Sequence, residues 1–189
     1  MYQPGEISRL DDLSLPPWER GVRQGGFLNL ETMSLNAKEF KQVMDKHNIK
    51  IVLIFGTLLG VMRQGGLIKS DSDFDVFCFS NDYLKWDEAK KELRKRNFVI
   101  PDRHPLHDDF IIRMGEKIDI NWVVPFGKFY VYNEEIYYPK HYFDNLQQVN
   151  LFGEKFNIPF NWEQLLVDLY GSDWRTPSNK KGRINIYPK

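Results

Sequence analysis

Residues 51–80 read IVLIFGTLLGVMRQGGLIKSDSDFDVFCFS, and their order decides the fold. Ile51 to Phe55 is an unbroken apolar run rich in β-branched residues, which predicts a buried strand ending at Gly56. Thr57 is then placed to cap a short helix from Leu58 to Arg63, and Gly65-Gly66 supplies the turn that follows. A strand that runs straight into a helix gathers free backbone N–H groups and the positive helix end at one spot. Gly56 lets an anion such as phosphate approach the main chain there. Beyond the turn, Asp71 to Phe79 alternates as a half-buried strand does, with Asp73 and Asp75 on one face and Phe74, Val76 and Cys78 on the other. Ionised carboxylates side by side repel unless something positive stands between them. Either Asp71-Ser72-Asp73 merely solvates the start of the strand, or Asp73 and Asp75 hold a hard divalent cation, Mg²⁺ or Mn²⁺.

Gly56-Thr57-Leu58-Leu59-Gly60, Arg63, Ile68 and Asp71-Ser72-Asp73-Phe74-Asp75 together resemble the signature of the LicD/fukutin family of phosphotransferases, within the polymerase-β-like nucleotidyltransferase superfamily. The resemblance is specific from Phe55 to Asp75, with weaker echoes over about two-thirds of the chain. Where the family often has Pro-Trp before the first Asp, this chain has Lys69-Ser70, a change that does not touch the acidic residues.

The resemblance implies an α+β fold (α/β mixed): a nucleotidyltransferase-like mixed β-sheet flanked by helices, in a single domain. It also implies a third metal carboxylate on a strand beside the Asp-x-Asp strand. A lone Asp within an apolar strand is costly to bury unpartnered, and Asp119, in Ile118-Asp119-Ile120-Asn121-Trp122, fits that place; otherwise it is an exposed acid on an edge strand. Asp73, Asp75 and Asp119 would then be metal ligands and catalytic residues. Asp71 would support them from outside or act as base for the acceptor hydroxyl, and Gly56, Thr57, Gly60 and Arg63 would surround the donor phosphates. The implied activity is metal-dependent transfer of a phospho-alcohol, phosphocholine or a polyol phosphate, from a CDP-activated donor to a glycan hydroxyl. Two alternatives use the same residues: a nucleotidyltransferase moving an NMP from an NTP to a small-molecule or sugar acceptor, and a non-catalytic nucleotide-binding module.

Bulk properties agree with a compact enzyme. The 189 residues, 42% of them hydrophobic, suffice for one domain with a real core. Lys plus Arg and Asp plus Glu balance at 26 each, so the chain lacks the basic field that sequence-independent nucleic-acid binding requires. A single cysteine excludes an internal disulfide framework. Nothing at the N-terminus resembles a signal peptide and no apolar run is long enough to span a bilayer, so the expected location is cytoplasmic. The expected partners are a nucleotide-activated small-molecule donor and a glycan or sugar acceptor. The oligomeric state is left open.

Residues 1–34, punctuated by Pro4-Gly5, Pro16-Pro17, Gly21 and Gly25-Gly26, predict an irregular arm anchored by Trp18, Phe27 and Leu28. The LicD-like domain is expected over 35–178 and a basic tail over 179–189, where Lys180, Lys181 and Arg183 are either solvated or touch a phosphate. Ser34 or Asn36 caps a predicted helix through about His47, with Leu35, Phe40, Val43 and Met44 inward. A second helix, Tyr83 to Arg96, has Leu84, Ala89 and Leu93 as its inward set, and Glu88 and Glu92 among its lysines mark a solvated face. Phe98 to Ile100 reads as a short strand, and His104 and His107 lie in a polar loop that either is plain loop or binds zinc. Phe110–Met114 and Ile118–Val124 predict a hairpin around Gly115-Glu116-Lys117. The aromatic run from Phe126 to Phe143 packs a second hairpin around Asn133-Glu134-Glu135 or forms a stacking platform for a base or sugar. Asn161 caps a last helix, Glu163 to Tyr170, which Gly171 ends.

Overall fold

The structure, a computed structural model, describes residues 27–101 and 109–177 together with Ser14 and Gly21. In chain order the elements are α1 (Leu30–Lys46), β1 (Ile51–Leu53), α2 (Phe55–Gln64), β2 (Asp73–Phe79), α3 (Tyr83–Lys95), β3 (Asp109–Arg113), β4 (Glu116–Phe126), β5 (Phe129–Tyr132), β6 (Ile136–Pro139), β7 (Gln147–Leu151), β8 (Glu154–Ile158) and α4 (Trp162–Tyr170). The strands form one mixed sheet ordered β6-β5-β4-β2-β1-β8-β7, with β3 also pairing β4. β1 runs antiparallel to β2, while β2 runs parallel to β4, with Asp73 opposite Lys117 and Asp75 opposite Asp119. This is the mixed sheet flanked by helices that the family resemblance implies.

The alternation of β2 divides the sheet's two faces. Phe74, Val76 and Cys78 are fully buried on one of them. There Phe74 meets Phe156 of β8 at 5.8 Å and Trp122 of β4 meets Tyr83 and Trp86 of α3 at 4.9 and 6.1 Å. Helix α1 joins this side as well, since Asn36 Nδ2 donates to the Arg113 carbonyl at 2.7 Å and Glu92 of α3 binds both Lys46 and His47. On the other face, α2 and the β5–β6 hairpin close over Phe77, whose ring lies 5.4 Å from Phe55 and 5.0 Å from Tyr138. The aromatic run from Phe126 onward thus mostly packs, around a turn at Asn133 and Glu134, both at positive φ.

Several boundaries differ from the sequence reading, each for a local reason. β1 ends at Leu53 because Phe55 turns the chain into α2 at φ +49°, a conformation costing a bulky residue about 1–3 kcal/mol and held here by the surrounding rings. α1 starts at Leu30 because Asn29 accepts the Thr32 N–H at 3.1 Å, so Ser34 and Asn36 lie inside the helix. Leu35 is exposed, whereas Phe40, Val43 and Met44 are buried as expected. On α3 the inward set is Trp86, Ala89 and Leu93, and Leu84 faces water. Phe98 to Ile100 contributes one isolated bridge, Val99 to Ile112, instead of a strand. The first hairpin turns at Met114-Gly115, both at positive φ, which puts Glu116 and Lys117 into β4. The β7–β8 hairpin, turning at Phe152-Gly153, was not expected.

No helix among the described residues is long and apolar enough to cross a membrane. Trp18, the loop bearing His104 and His107, and the tail with Lys180, Lys181 and Arg183 lie outside the described residues, as does most of the expected arm.

Candidate active site

The β1–α2 junction and β2 are stitched together around Asp75. Its backbone N–H donates to Thr57 Oγ1 at 2.8 Å, and its carbonyl accepts the Ile54 N–H at 3.3 Å. Thr57 is 1% exposed, so this bond is sheltered from water. The expected helix cap is therefore absent: Thr57 lies inside α2 and spends its hydroxyl on fixing Asp75. The carboxylate of Asp75 then projects beside that of Asp119, its directly paired partner on the adjacent parallel strand. Just beyond, Asn121 Nδ2 donates to the Val76 carbonyl at 3.1 Å and locks the two strands in register.

Asp73, Asp75 and Asp119 each bring a carboxylate oxygen within 4.8 Å of the others. The donor set is all hard oxygen, crowded and partly buried, and such a set suits a divalent ion. Lys117 completes the cluster. Its Nζ lies 2.8 Å from Asp119 Oδ2 and 3.2 Å from Asp73 Oδ2, and Ser72 Oγ donates to that same Asp73 oxygen at 3.1 Å. The sequence reading missed Lys117 because it placed this residue in the turn; with the turn at Met114-Gly115, Lys117 and Asp119 share a face.

Burial works against the Lys117 charge, but the Asp119 and Asp73 carboxylates outweigh it and raise its pKa. Burial also pushes the Asp119 carboxyl up to about 6; the Lys117 ammonium opposes that rise and the Asp73 charge adds to it. The folded state therefore binds this proton more tightly than the unfolded chain. Its stabilising contribution is present at low pH and lost as pH climbs from about 4 to about 6. In metal-free buffer, the stability of the wild type relative to Asp119→Asn should fall across that window and level off above it, as read by urea midpoints. A difference that is flat or rising there contradicts the assignment.

The remaining predicted residues divide by position. Asp71, half-buried, lies against Gly56 at the start of α2, where a Cβ on Gly56 would come within 2.0 Å of Asp71 Oδ2. An acid beside a helix N-terminus is favourably placed. Asp71 Oδ1 also accepts the Ser72 N–H at 3.1 Å, so Asp71 adjoins the cluster without being one of its three acids. Gly60 faces the loop after α2: a Cβ there would meet the Gly66 carbonyl at 2.7 Å and the Ile68 N–H at 2.9 Å. Arg63 belongs to the last turn of α2, seven residues on from Gly56, so its Cα is about 10 Å farther along the helix axis. Its Nε is buried without a hydrogen-bond partner among the described residues.

The three carboxylates thus lie on neighbouring strands of a mixed sheet, beside a strand-to-helix junction. The chain belongs to the LicD/FKTN/FKRP nucleotidyltransferase-domain family, whose profile matches residues 48–161, more than half of its length. No curated protein matches it. Among solved structures, it is similar to the solution structure of the antibiotic-resistance factor ANT(2'')-Ia, at 14% identity and TM-score 0.53, over 76% of this chain and 74% of that one. A crystal structure of ANT(2'')-Ia in complex with adenylyl-2''-tobramycin matches at 11% identity and TM-score 0.49, over 68% of this chain and 69% of that one. Family and fold together make the chain a transferase of the nucleotide-handling kind.

Proposed function

We propose that this protein transfers a phospho-alcohol, phosphocholine or a polyol phosphate, from a CDP-activated donor to the hydroxyl of a glycan. The observation that carries this reading is the convergence of Asp73, Asp75 and Asp119 beside the amino end of α2. These three residues would hold Mg²⁺ or Mn²⁺, and such an ion, when bound, neutralises charge on a pyrophosphate and its leaving group. The rest is the work of the chain itself. Gly56 and Thr57 offer main-chain N–H groups to the donor phosphates as Asp71 swings away from Gly56. Once free, the Asp71 carboxylate is the candidate base for the acceptor hydroxyl. The acceptor oxygen forms the new bond to the phosphorus bearing the alcohol, the bond to the CMP oxygen breaks, and CMP departs. Arg63 steadies phosphate charge only if its side chain reaches from the far end of α2.

A thermal-shift panel of nucleotides and CDP-linked alcohols, each with and without Mg²⁺ or Mn²⁺, tests the donor. Metal-dependent stabilisation by one CDP compound is expected, since a ligand that binds only the folded state raises its melting temperature. With that donor and a glycan acceptor, released CMP supports the reading. Pyrophosphate release from an NTP with a nucleotidylated acceptor would replace it by nucleotidyl transfer.

A further inference from the structure

We propose that Lys117 is a tethered counter-ion that occupies the divalent-ion position when no metal is bound and withdraws when the metal enters. This rests on reading the three acids as a metal site and adds to it how that site is kept before loading. Its ground is the placement of one ammonium on two of the three carboxylates: Nζ is 2.8 Å from Asp119 Oδ2 and 3.2 Å from Asp73 Oδ2. The backbone dictates that placement. Lys117 is paired directly across from Asp73 and stands two residues before Asp119, so all three side chains rise from one face of adjacent strands. A lysine lying along the protein surface would pair with an acid at will. This one is only 18% exposed, between acids exposed by 17% and 22%.

Three converging carboxylates without a cation repel one another, and the fold would bear that repulsion during every metal-free interval. Lys117 relieves it from within. The cost is borne by the metal, which must break two ion pairs to reach the same oxygens, so the free ion binds weakly. A metal arriving with a nucleoside diphosphate brings ligands of its own and new anionic oxygens on which the displaced ammonium can settle. Lys117 thereby ties metal occupancy to the presence of donor, acting as a positioning residue through the carboxylates.

The experiment measures Mn²⁺ binding to the isolated protein, by the paramagnetic resonance signal of free Mn²⁺, for the wild type, Lys117→Met and Lys117→Arg, with and without CDP. Removing a cation in contact with a ligand set should tighten Mn²⁺ binding by about tenfold in Lys117→Met, while Lys117→Arg stays near the wild type. Unchanged or weaker binding by Lys117→Met overturns the proposal and leaves the metal site standing. Failure of every form to bind Mn²⁺, with or without CDP, overturns the metal-site reading and the proposal with it. Should Lys117→Met not fold, the wild type answers alone. Acetylation of Lys117, followed by mass spectrometry, should speed up severalfold on saturating the protein with Mg²⁺ alone, which displaces the ammonium and brings no new anion for it to pair with; a rate that holds or falls overturns the proposal.

Discussion

Asp75→Asn is expected to abolish the proposed metal-dependent stabilisation by a CDP-linked donor and to lower the proposed transfer by at least about a hundredfold, while leaving the metal-free protein as stable as the wild type or more so. The opposite signs follow from how the site is built. Asn has the shape of Asp, and the bonds that fix this position, the N–H to Thr57 Oγ1 at 2.8 Å and the carbonyl to the Ile54 N–H at 3.3 Å, belong to the backbone. The fold therefore keeps its register. What disappears is one of three converging negative charges. In the absence of metal that loss relieves repulsion against Asp119, which is paired directly opposite. If the three acids hold a metal as proposed, the substitution also removes an anionic ligand that an amide oxygen replaces poorly. Melting temperatures with and without Mn²⁺ and CDP donor, alongside CMP release, give both halves of the result. A variant that keeps its full activity would promote the non-catalytic nucleotide-binding reading over catalysis.

The centre of this fold was legible because its signals are local. The apolar run of β1, the alternation of β2 and the lone Asp119 in β4 each declare themselves within a few residues, and the sheet brings the acids together as the family resemblance implies. Thr57 shows the limit. A threonine behind Gly56 reads as a helix cap, but its partner is the N–H of Asp75, 18 residues away, and such a bond leaves no trace in nearby sequence. Lys117 was hidden differently. Assigning Gly115-Glu116-Lys117 to a turn erased the period of two that links Lys117 to Asp119, whereas the two-residue turn at Met114-Gly115 restores it. β7 went unread because four of its five residues, Gln147 to Asn150, are polar or only partly buried at the sheet edge, and an edge strand need not alternate. The glycine motif sends mixed signals: Gly56 opens room that Asp71 fills, while Gly60 serves close packing of α2 on Gly66 and Ile68.

Trp86→Ala lowers global stability by about 3–5 kcal/mol, a large share of the 5–15 kcal/mol typical of a domain, and Leu84→Ala on the same helix changes it by no more than about 0.5 kcal/mol. The contrast comes from helix geometry. Trp86, Ala89 and Leu93 are spaced by three and four residues and form one stripe, all fully buried. Leu84 sits two residues before Trp86, about 200° around the helix, and is 91% exposed. The sequence reading puts Leu84 in the inward set and passes over Trp86, the residue whose spacing from Ala89 and Leu93 fits the helical period. Trp86 fills the space between α3 and the sheet, its ring 6.1 Å from that of Trp122 on β4. Truncating it leaves a cavity behind the strand that carries Lys117 and Asp119 on its other face. The expected drop in melting temperature is about 10 °C for Trp86→Ala against less than about 2 °C for Leu84→Ala. At temperatures where Trp86→Ala remains folded, its Mn²⁺ affinity should match the wild type, since none of the acids touches the cavity. A Leu84→Ala loss as large as that of Trp86→Ala would mean that α3 packs on its opposite face and that the sheet's covering has been read the wrong way round.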